Sequence, residues 1–390
     1  MSKRALLLKI AQDLRASYWF IPATLVLVAL ALAHGSEWLD RNVALIPFQL
    51  PDALTDTQVD GARSTLSTIA TAVIGVTGVM FSMTIVAVSF AAGNYGPRLI
   101  GNFMRDRGNQ ISLGVLIATF VYALSILRAV QDPSEAACVE AFVPQYSMLI
   151  AMLGSIVAVF TMIYFVHHVP ETINVSNITA NLGRRLEREI INIIEADAAL
   201  APKPKVRYPE RDPDHLFTLE AAGYIQTLNY TRIEELTAEA DWHIRIEKVP
   251  GDFVTPFTPA LAVWTKDDIS QDAIAELRAC FAVGVSRTEH QNVLFLVDEL
   301  VEMLARALSP GVNDPFTAIN CLNWMHNALK TAQNYQQGLG DAGAGKYHLG
   351  PRLTYDELFK RSFLASQPYC KTDHLALAHY EKKARDLERG

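Results

Sequence analysis

Charged residues are scarce in this chain of 390 residues. Asp, Glu, Lys and Arg make up 19% of it, against about 25% in an ordinary soluble protein. Hydrophobic residues make up 50%, which excludes an intrinsically disordered chain. The net charge of −7 argues against nucleic acid as a partner, because phosphate binding requires clustered Lys and Arg.

Cysteines are few, and catalytic signatures are missing. Cys138, Cys280, Cys321 and Cys370 have no spacing typical of a zinc or iron–sulfur site and form no recognisable disulfide framework. The chain also contains no GxSxG, HExxH or kinase signature. We therefore predict no metal, no cofactor and no catalytic residues, and we expect a protein that is not an enzyme.

The charges that are present lie mostly in the second part of the chain. Residues 1–168 hold ten basic and ten acidic residues, whereas residues 169–390 hold 24 and 31. The first part contains four stretches without Asp, Glu, Lys or Arg, at 16–36, 64–97, 108–127 and 141–170. A spanning helix needs about 20 apolar residues. We predict four transmembrane helices, at about 17–34, 65–92, 110–130 and 147–168.

Basic residues indicate the orientation of these helices. The segment before the first helix and the loop between the second and third hold Lys3, Arg4, Lys9, Arg15, Arg98, Arg105 and Arg107. The two loops on the other side hold only Arg41 and Arg63. Because short cytoplasmic loops are enriched in Lys and Arg, we predict that the N-terminus and the large C-terminal part are both cytoplasmic.

The second predicted helix carries small and hydroxylated residues along one face. The small-residue stripe consists of Ser64, Thr68, Thr71, Gly75, Gly78, Ser82, Ile85 and Ser89. Alternating steps of four and three place these residues on one side of a helix. The opposite face carries Leu66, Ile69, Val73, Val76, Met80, Met83 and Ala87.

Two explanations of the small-residue stripe remain open. Small residues allow close packing of neighbouring helices, with Ser and Thr hydrogen-bonding across the contact. Alternatively, the hydroxyls and the exposed backbone at Gly75 and Gly78 line a pore in a homo-oligomer.

Three further features concern ionisable groups and ligands. No predicted helix carries Asp, Glu, Lys or Arg at mid-membrane, which argues against a proton relay or voltage sensor. His167 and His168 lie at the cytoplasmic end of the fourth helix, where they either cap the interface or sense pH. In the segment SPGVNDP, Gly311 and Asn313 are candidates for an anion site at a helix start, and the alternative is a capped turn without a ligand.

The fold class that follows is an α-helical membrane domain and a cytoplasmic α+β domain. We place the four-helix domain at 1–168, a connecting helix at 169–200 and a Pro-rich linker at 201–215. A small β-barrel or sandwich module follows at 216–266. Residues 267–390 are predicted to be helical, with Ile274, Leu277, Phe281 and Val285 forming one helix face.

Several segments resemble one bacterial inner-membrane family. They read YWFIPA at 18–23, GARSTLSTIA at 61–70, YGPRLIGNFMRDRGNQ at 95–110, YFVHHV at 164–169, PGDFVTP at 250–256 and RALSPGVNDPFTAINCL at 306–322. The family is known as a "predicted membrane protein", domain of unknown function twenty-two fifty-four. The resemblance covers roughly residues 10–330. It implies a protein of the bacterial cytoplasmic membrane with four helices and a cytoplasmic domain, and it brings no established activity.

Two functional hypotheses follow. The first is an oligomeric pore or ion channel, lined by the second helix and regulated by the cytoplasmic domain, with the lipid bilayer and a small ion as partners. The second is a membrane-tethered sensor or scaffold whose cytoplasmic domain binds an anionic ligand or a protein.

Overall fold

The computed structural model describes residues 17–42, 57–96, 106–132, 142–199, 209–266, 268–333, 335, 347–348 and 353–389. The chain divides into two compact units. The membrane unit comprises residues 2–93 and 97–174, and the C-terminal unit comprises residues 94–96 and 175–390. Most of the basic residues used to predict orientation, and residues 201–208 of the predicted linker, lie outside the described residues.

Four long apolar helices form the membrane unit. They are α1 (Phe20–Arg41), α2 (Val59–Tyr95), α3 (Arg107–Ala129) and α4 (Gln145–Thr172). Each is long and apolar enough to cross a membrane, with mean hydropathy between 1.5 and 2.4 in its most apolar part. The prediction of four apolar helices is confirmed; α2 and α4 extend beyond the predicted bounds at both ends, whereas α1 begins and ends later than predicted and α3 begins and ends earlier.

The core of the membrane unit contains residues from all four helices. Ala33 of α1, Leu66 of α2, Ile126 of α3 and Phe165 of α4 are all at most 2% exposed and belong to one hydrophobic cluster. The helix α3 packs against both α1 and α4. Large apolar side chains such as Phe160 and Leu27 point outward at 67% exposure, as expected of surfaces that contact lipid.

The C-terminal unit combines helices with two small sheets. Its elements in the first part of the unit, in chain order, are α5 (Val175–Ala199), β1 (His215–Thr218), β2 (Gly223–Leu228), α6 (Tyr230–Ala240), β3 (His243–Ile246), β4 (Phe253–Val254), β5 (Pro259–Trp264), α7 (Gln271–Ala279) and β6 (Phe281–Gly284). The remaining elements are α8 (Val293–Ala307), α9 (Pro315–Gln333), β7 (Tyr347–His348), α10 (Tyr355–Phe359), a π-helical turn (Lys360–Leu364), α11 (Ala365–Cys370) and α12 (His374–Glu388).

The strands form two separate sheets around one core. One sheet has the order β1-β5-β3-β7, with only the β3–β7 pair parallel, and the other has the order β4-β2-β6. Phe217 of β1, Ile225 of β2 and Leu261 of β5 belong to the same hydrophobic cluster. The described strands do not close into a barrel, because no hydrogen-bonded ladder joins the two sheets.

Residues 281–284 depart from the predicted helical region. Ile274 and Leu277 lie on α7, but that helix ends at Ala279, and Phe281 begins the strand β6. Phe281 pairs with Leu228, and Gly284 pairs with Tyr224, in an antiparallel ladder with β2. The prediction that Phe281 and Val285 continue the helix face is therefore wrong. Local spacing fits both structures, and the partner strand decides between them.

The predicted connecting helix consists of two helices. α4 ends at Thr172, and α5 begins at Val175. α5 packs against α8 and α9 within the C-terminal unit. Gly183 of α5 lies against the indole ring of Trp324 of α9, so closely that a side chain at position 183 would collide with the ring.

Candidate functional site

The small-residue stripe on α2 faces away from the rest of the membrane unit. Its eight residues, Ser64, Thr68, Thr71, Gly75, Gly78, Ser82, Ile85 and Ser89, are all exposed. Most of the opposite face is turned into the bundle, where Leu66, Val73 and Met80 are at most 8% exposed, whereas Met83, predicted for the same face, is 45% exposed. Packing against another described helix of the same chain therefore does not account for the stripe.

The backbone of the stripe is open as well. A methyl group added at Gly75 or Gly78 would meet no atom of the described residues within 4 Å. By contrast, a methyl group at Gly114 of α3 would lie 2.6 Å from Leu25 Cδ1 and 3.1 Å from Pro22 Cα. The glycines of α2 thus differ from a glycine that serves helix packing inside the chain.

The hydroxyl groups of α2 fall into two sets. The buried Thr77 and Thr84 donate to the carbonyl oxygens of Val73 and Met80 at 2.7 and 2.9 Å, and Thr68 of the stripe donates in the same way to Ser64 O at 2.7 Å. The hydroxyls of three stripe residues have no hydrogen-bond partner among the described residues: Thr71, Ser82 and Ser89. A hydroxyl without a partner is unfavourable in hydrocarbon, so contact with water or with a second molecule would suit these three groups.

The two histidines at the end of α4 have different environments. The side chain of His167 is 80% exposed, and its Nε2 lies 3.4 Å from Glu171 Oε1. The side chain of His168 is 20% exposed, and its Nε2 lies 2.8 Å from Asp106 Oδ1. Adjacent residues on a helix point about 100° apart, so only His168 turns toward α3.

The contact between His168 and Asp106 belongs to a polar group at the start of α3. Tyr164 stacks on His168, with ring centroids 4.9 Å apart. Asp106 caps α3 by accepting a hydrogen bond from Asn109 N at 2.8 Å. Gly108 provides the space, because a Cβ there would lie 2.6 Å from the Tyr164 hydroxyl and would collide with His168.

Asn109 is the least expected member of this polar group. Its side chain is completely buried, at 0% exposure, and within the described part of the chain neither its amide oxygen nor its amide nitrogen has a hydrogen-bond partner. Asp106, Gly108 and Asn109 were not identified from the sequence. Asp is a preferred capping residue, so Asp106 ahead of the charge-free stretch 108–127 would have located the helix start but not its contact with α4.

The predicted anion site lies at the start of α9. Asp314 accepts hydrogen bonds from Thr317 N at 3.1 Å and from the Thr317 hydroxyl at 2.5 Å. Gly311 is open, because a methyl group added there would meet no described atom within 4 Å, and Asn313 has a left-handed backbone with φ of 51°. The carboxylate of Asp314 thus occupies the amino end of the helix, where an anion would bind.

Three described cysteines are buried in the C-terminal unit. Burial raises the pKa of the Cys280 and Cys370 thiols to about 11 and that of Cys321 to about 12. Cys138 lies outside the described residues. Among the described residues, no group of three His, Cys, Asp or Glu side chains is arranged to hold a metal ion.

The C-terminal unit also contains a small cavity. Its volume is about 200 Å³, and its walls include Glu189 and Ile193 of α5 and Asn292 and Leu296 at the start of α8. Glu289, which also lines it, forms an ion pair with Arg185. The lining is therefore a mixture of carboxylate, amide and apolar groups.

Comparisons with known proteins agree with this architecture. The family model described as "Predicted membrane protein (DUF2254)" matches residues 15–382. Uncharacterized proteins of Mycobacterium bovis and Mycobacterium tuberculosis are each 26% identical over 325 residues, which cover 80% of this chain. The chain spans 59% of the length of these curated relatives. No solved structure matches it. Because the family model covers nearly the whole sequence, the chain belongs to this family of multi-pass membrane proteins.

Proposed function

We propose that this protein forms a homo-oligomeric pore for small ions in the bacterial inner membrane, with the small-residue stripe of α2 lining the conduit. The observation that carries the proposal is the outward orientation of the entire stripe. Within the described part of a single chain, the hydroxyls of Thr71, Ser82 and Ser89 have no partners and the backbone at Gly75 and Gly78 is open.

The residues that flank the stripe support an assembly of several copies. Phe81 and Met83 point about 100° to either side of Ser82 and are 48% and 45% exposed. Large apolar flanks suit lipid or a neighbouring subunit, whereas hydroxyls and open backbone suit water. An arrangement with α2 at the centre of an oligomer satisfies both requirements.

The rest of the chain has assigned roles under this proposal. The N-terminus and the C-terminal unit are cytoplasmic, as the distribution of Lys and Arg indicates. The C-terminal unit, which contains two small sheets, regulates or assembles the pore. The protein is not an enzyme, and ion passage requires no cofactor.

Cysteine accessibility tests the conduit. Thr71→Cys and Ser82→Cys, each introduced into a Cys138→Ser background, should react with a charged, membrane-impermeant thiol reagent in the membrane-embedded oligomer. Phe81→Cys and Met83→Cys, at the neighbouring exposed positions, and Val73→Cys, at a buried one, should not react.

Ion flux through liposomes provides the functional readout. We expect purified protein to pass small ions and the reagent to reduce the flux of the Ser82→Cys variant but not of the Met83→Cys variant. The proposal would be refuted by an oligomer that passes no ions and in which neither the Thr71→Cys variant nor the Ser82→Cys variant is labelled.

A sensor is the second candidate, and the cavity beside Glu189 and Asn292 favours it. In that case the C-terminal unit binds a small polar ligand and α2 serves only for contact between subunits. Ligand-dependent protection of residues 289–296 from hydrogen exchange, without ion flux, would support the sensor over the pore.

A further inference from the structure

The polar group at the start of α3 contains an amide that the described part of the chain does not satisfy. Asn109 is 0% exposed, and both polar atoms of its side chain lack partners among the described residues. A buried amide without hydrogen-bond partners destabilises the folded state. Native proteins satisfy such groups almost always, with protein, ordered water or a bound ion.

Asn109 follows a carboxylate by three positions, within the first turn of the helix. Asp106 is the residue that caps α3, and Asn109 is the third residue of that helix. A side chain at this third position can reach back toward the capping residue, as Glu or Gln does in a capping box. Here the Asn109 backbone N–H bonds Asp106 Oδ1 at 2.8 Å, so the carboxylate is turned toward the residue that carries the unpaired amide.

Neighbouring elements place further oxygen atoms near Asp106 and Gly108. The Tyr164 hydroxyl of α4 approaches Gly108. Tyr18, before α1, lies near Thr84 of α2 and near Asp106. Among the described residues, His168 is the one basic side chain in contact with Asp106, through Oδ1, and Asp106 Oδ2 makes no bond to any of them.

We propose that Asp106 and Asn109 form a binding site for a hard metal cation at this end of the membrane unit. Carboxylate and amide oxygens are the ligands that such cations prefer. An anion does not fit, because the Asp106 carboxylate already takes up the positive end of the helix. The site is independent of the proposed conduit, since it uses α3 and α4 and not the stripe of α2.

Thermal unfolding of the full-length protein in detergent tests the site. We would measure the unfolding midpoint in the chlorides of Na⁺, K⁺, Mg²⁺ and Ca²⁺, each compared with choline chloride at equal ionic strength. At least one metal cation should raise the midpoint of the wild-type protein, by about 2–4 °C at several times its dissociation constant.

Two variants locate the effect. Asp106→Asn preserves the helix cap, because Asn caps as well as Asp, but it removes the charge and should abolish the cation-dependent rise. Asn109→Leu should abolish it too and should lower the midpoint in the presence of the cation. The control Asn42→Ala changes the same residue type at the end of α1 and should retain the full rise.

Two results would overturn the site. If Asn109→Leu raises the midpoint, or leaves it unchanged, in every salt, the amide is simply unpaired, because its removal then relieves a buried polar group. If Asn109→Leu lowers the midpoint equally in choline and metal chlorides, and the wild-type protein shows no cation dependence, the amide holds water and not a metal cation.

Discussion

The carboxylate of Asp40, near the end of α1, caps the beginning of α4 through Ser147. It accepts hydrogen bonds from the Ser147 backbone N–H at 3.0 Å, from the Ser147 hydroxyl at 2.5 Å and from Tyr146 N at 2.9 Å. Asp40 is only 7% exposed. The residue that precedes α4 is Pro144, which has no side-chain cap of its own. A residue more than a hundred positions away therefore satisfies the free N–H groups of this helix.

Removal of this cap should destabilise the membrane unit. We expect Asp40→Ala to lower the free energy of unfolding by about 1–3 kcal/mol, because buried N–H groups lose a charged acceptor. The readout is the loss of helical circular dichroism on heating in detergent. Glu37→Gln is the matched control, since Glu37 pairs with the half-exposed Arg41, and such pairs contribute little. Equal midpoints for the two variants would contradict a role for Asp40.

Replacement of a glycine by Leu should have different effects on α2 and on α3. Gly78→Leu is expected to leave the unfolding of the single chain unchanged, because a Cβ at this outward-facing position meets no described atom within 4 Å, but to weaken an oligomer built on α2. Gly114→Leu should destabilise the chain itself by about 1–3 kcal/mol or more through overpacking against Leu25 and Pro22. Light scattering and thermal unfolding separate the two effects. An unchanged mass for Gly78→Leu would argue against the α2 interface.

The contact of Gly183 with Trp324 predicts that a larger residue at position 183 lowers the stability of the C-terminal unit. Gly183→Ala places a methyl group on the indole ring and should cost about 1–3 kcal/mol. Gly311→Ala adds the same group where no described atom lies within 4 Å and should cost little. Unfolding of the full chain followed by tryptophan fluorescence compares them. A Gly183→Ala protein as stable as Gly311→Ala would show that α5 and α9 do not pack this closely.

Docking of α12 on α9 should weaken as the pH falls. Burial lowers the pKa of His326 and of His379 below the ordinary 6.5, and Lys382 and Lys383 lower the pKa of His379 further. The unfolded chain then binds more protons than the folded chain, so stability is lost as the pH falls below about 6.5. His326 bonds Asp386 at 2.7 Å, which opposes but does not reverse the shift.

Hydrogen exchange of α12 at pH 7 and pH 5.5 measures this effect. Protection should fall at the lower pH in the wild-type protein, and the fall should be smaller in His326→Gln. The exposed His374, on the same helix, provides the control His374→Gln, which should behave as wild type. Protection that is equal at both pH values would contradict the prediction.

The buried thiols should be inert toward modification. Because the pKa values of Cys280, Cys321 and Cys370 lie between about 11 and about 12, almost no thiolate is present at pH 8. A Cys138→Ser protein should therefore bind no maleimide when folded and three equivalents after denaturation. Labelling of the folded protein would contradict this prediction and would reveal opening of the C-terminal unit. It would also add a signal to the labelling of the cysteines introduced into α2.

The sequence alone determined the four apolar helices and the periodicity of α2. Long stretches without charge can be buried in lipid but not in water, and steps of four and three place residues on one helix face whatever surrounds it. The family resemblance, read from the same residues, is confirmed by a match over residues 15–382. These features are local, and local features can be read from a sequence.

Only the tertiary structure decided which face of α2 turns outward, because both faces are uncharged and each suits a helix contact. It also decided that Phe281 joins a strand, since the partner Leu228 lies far away in the sequence. The contacts of Asp40 with Ser147 and of Asp106 with His168 are likewise decided by the tertiary structure. Each joins residues more than 60 positions apart, and no spacing rule covers such distances. The burial of Asn109 could not be predicted from the sequence either, because the residues that cover its side chain come near it only when the chain folds.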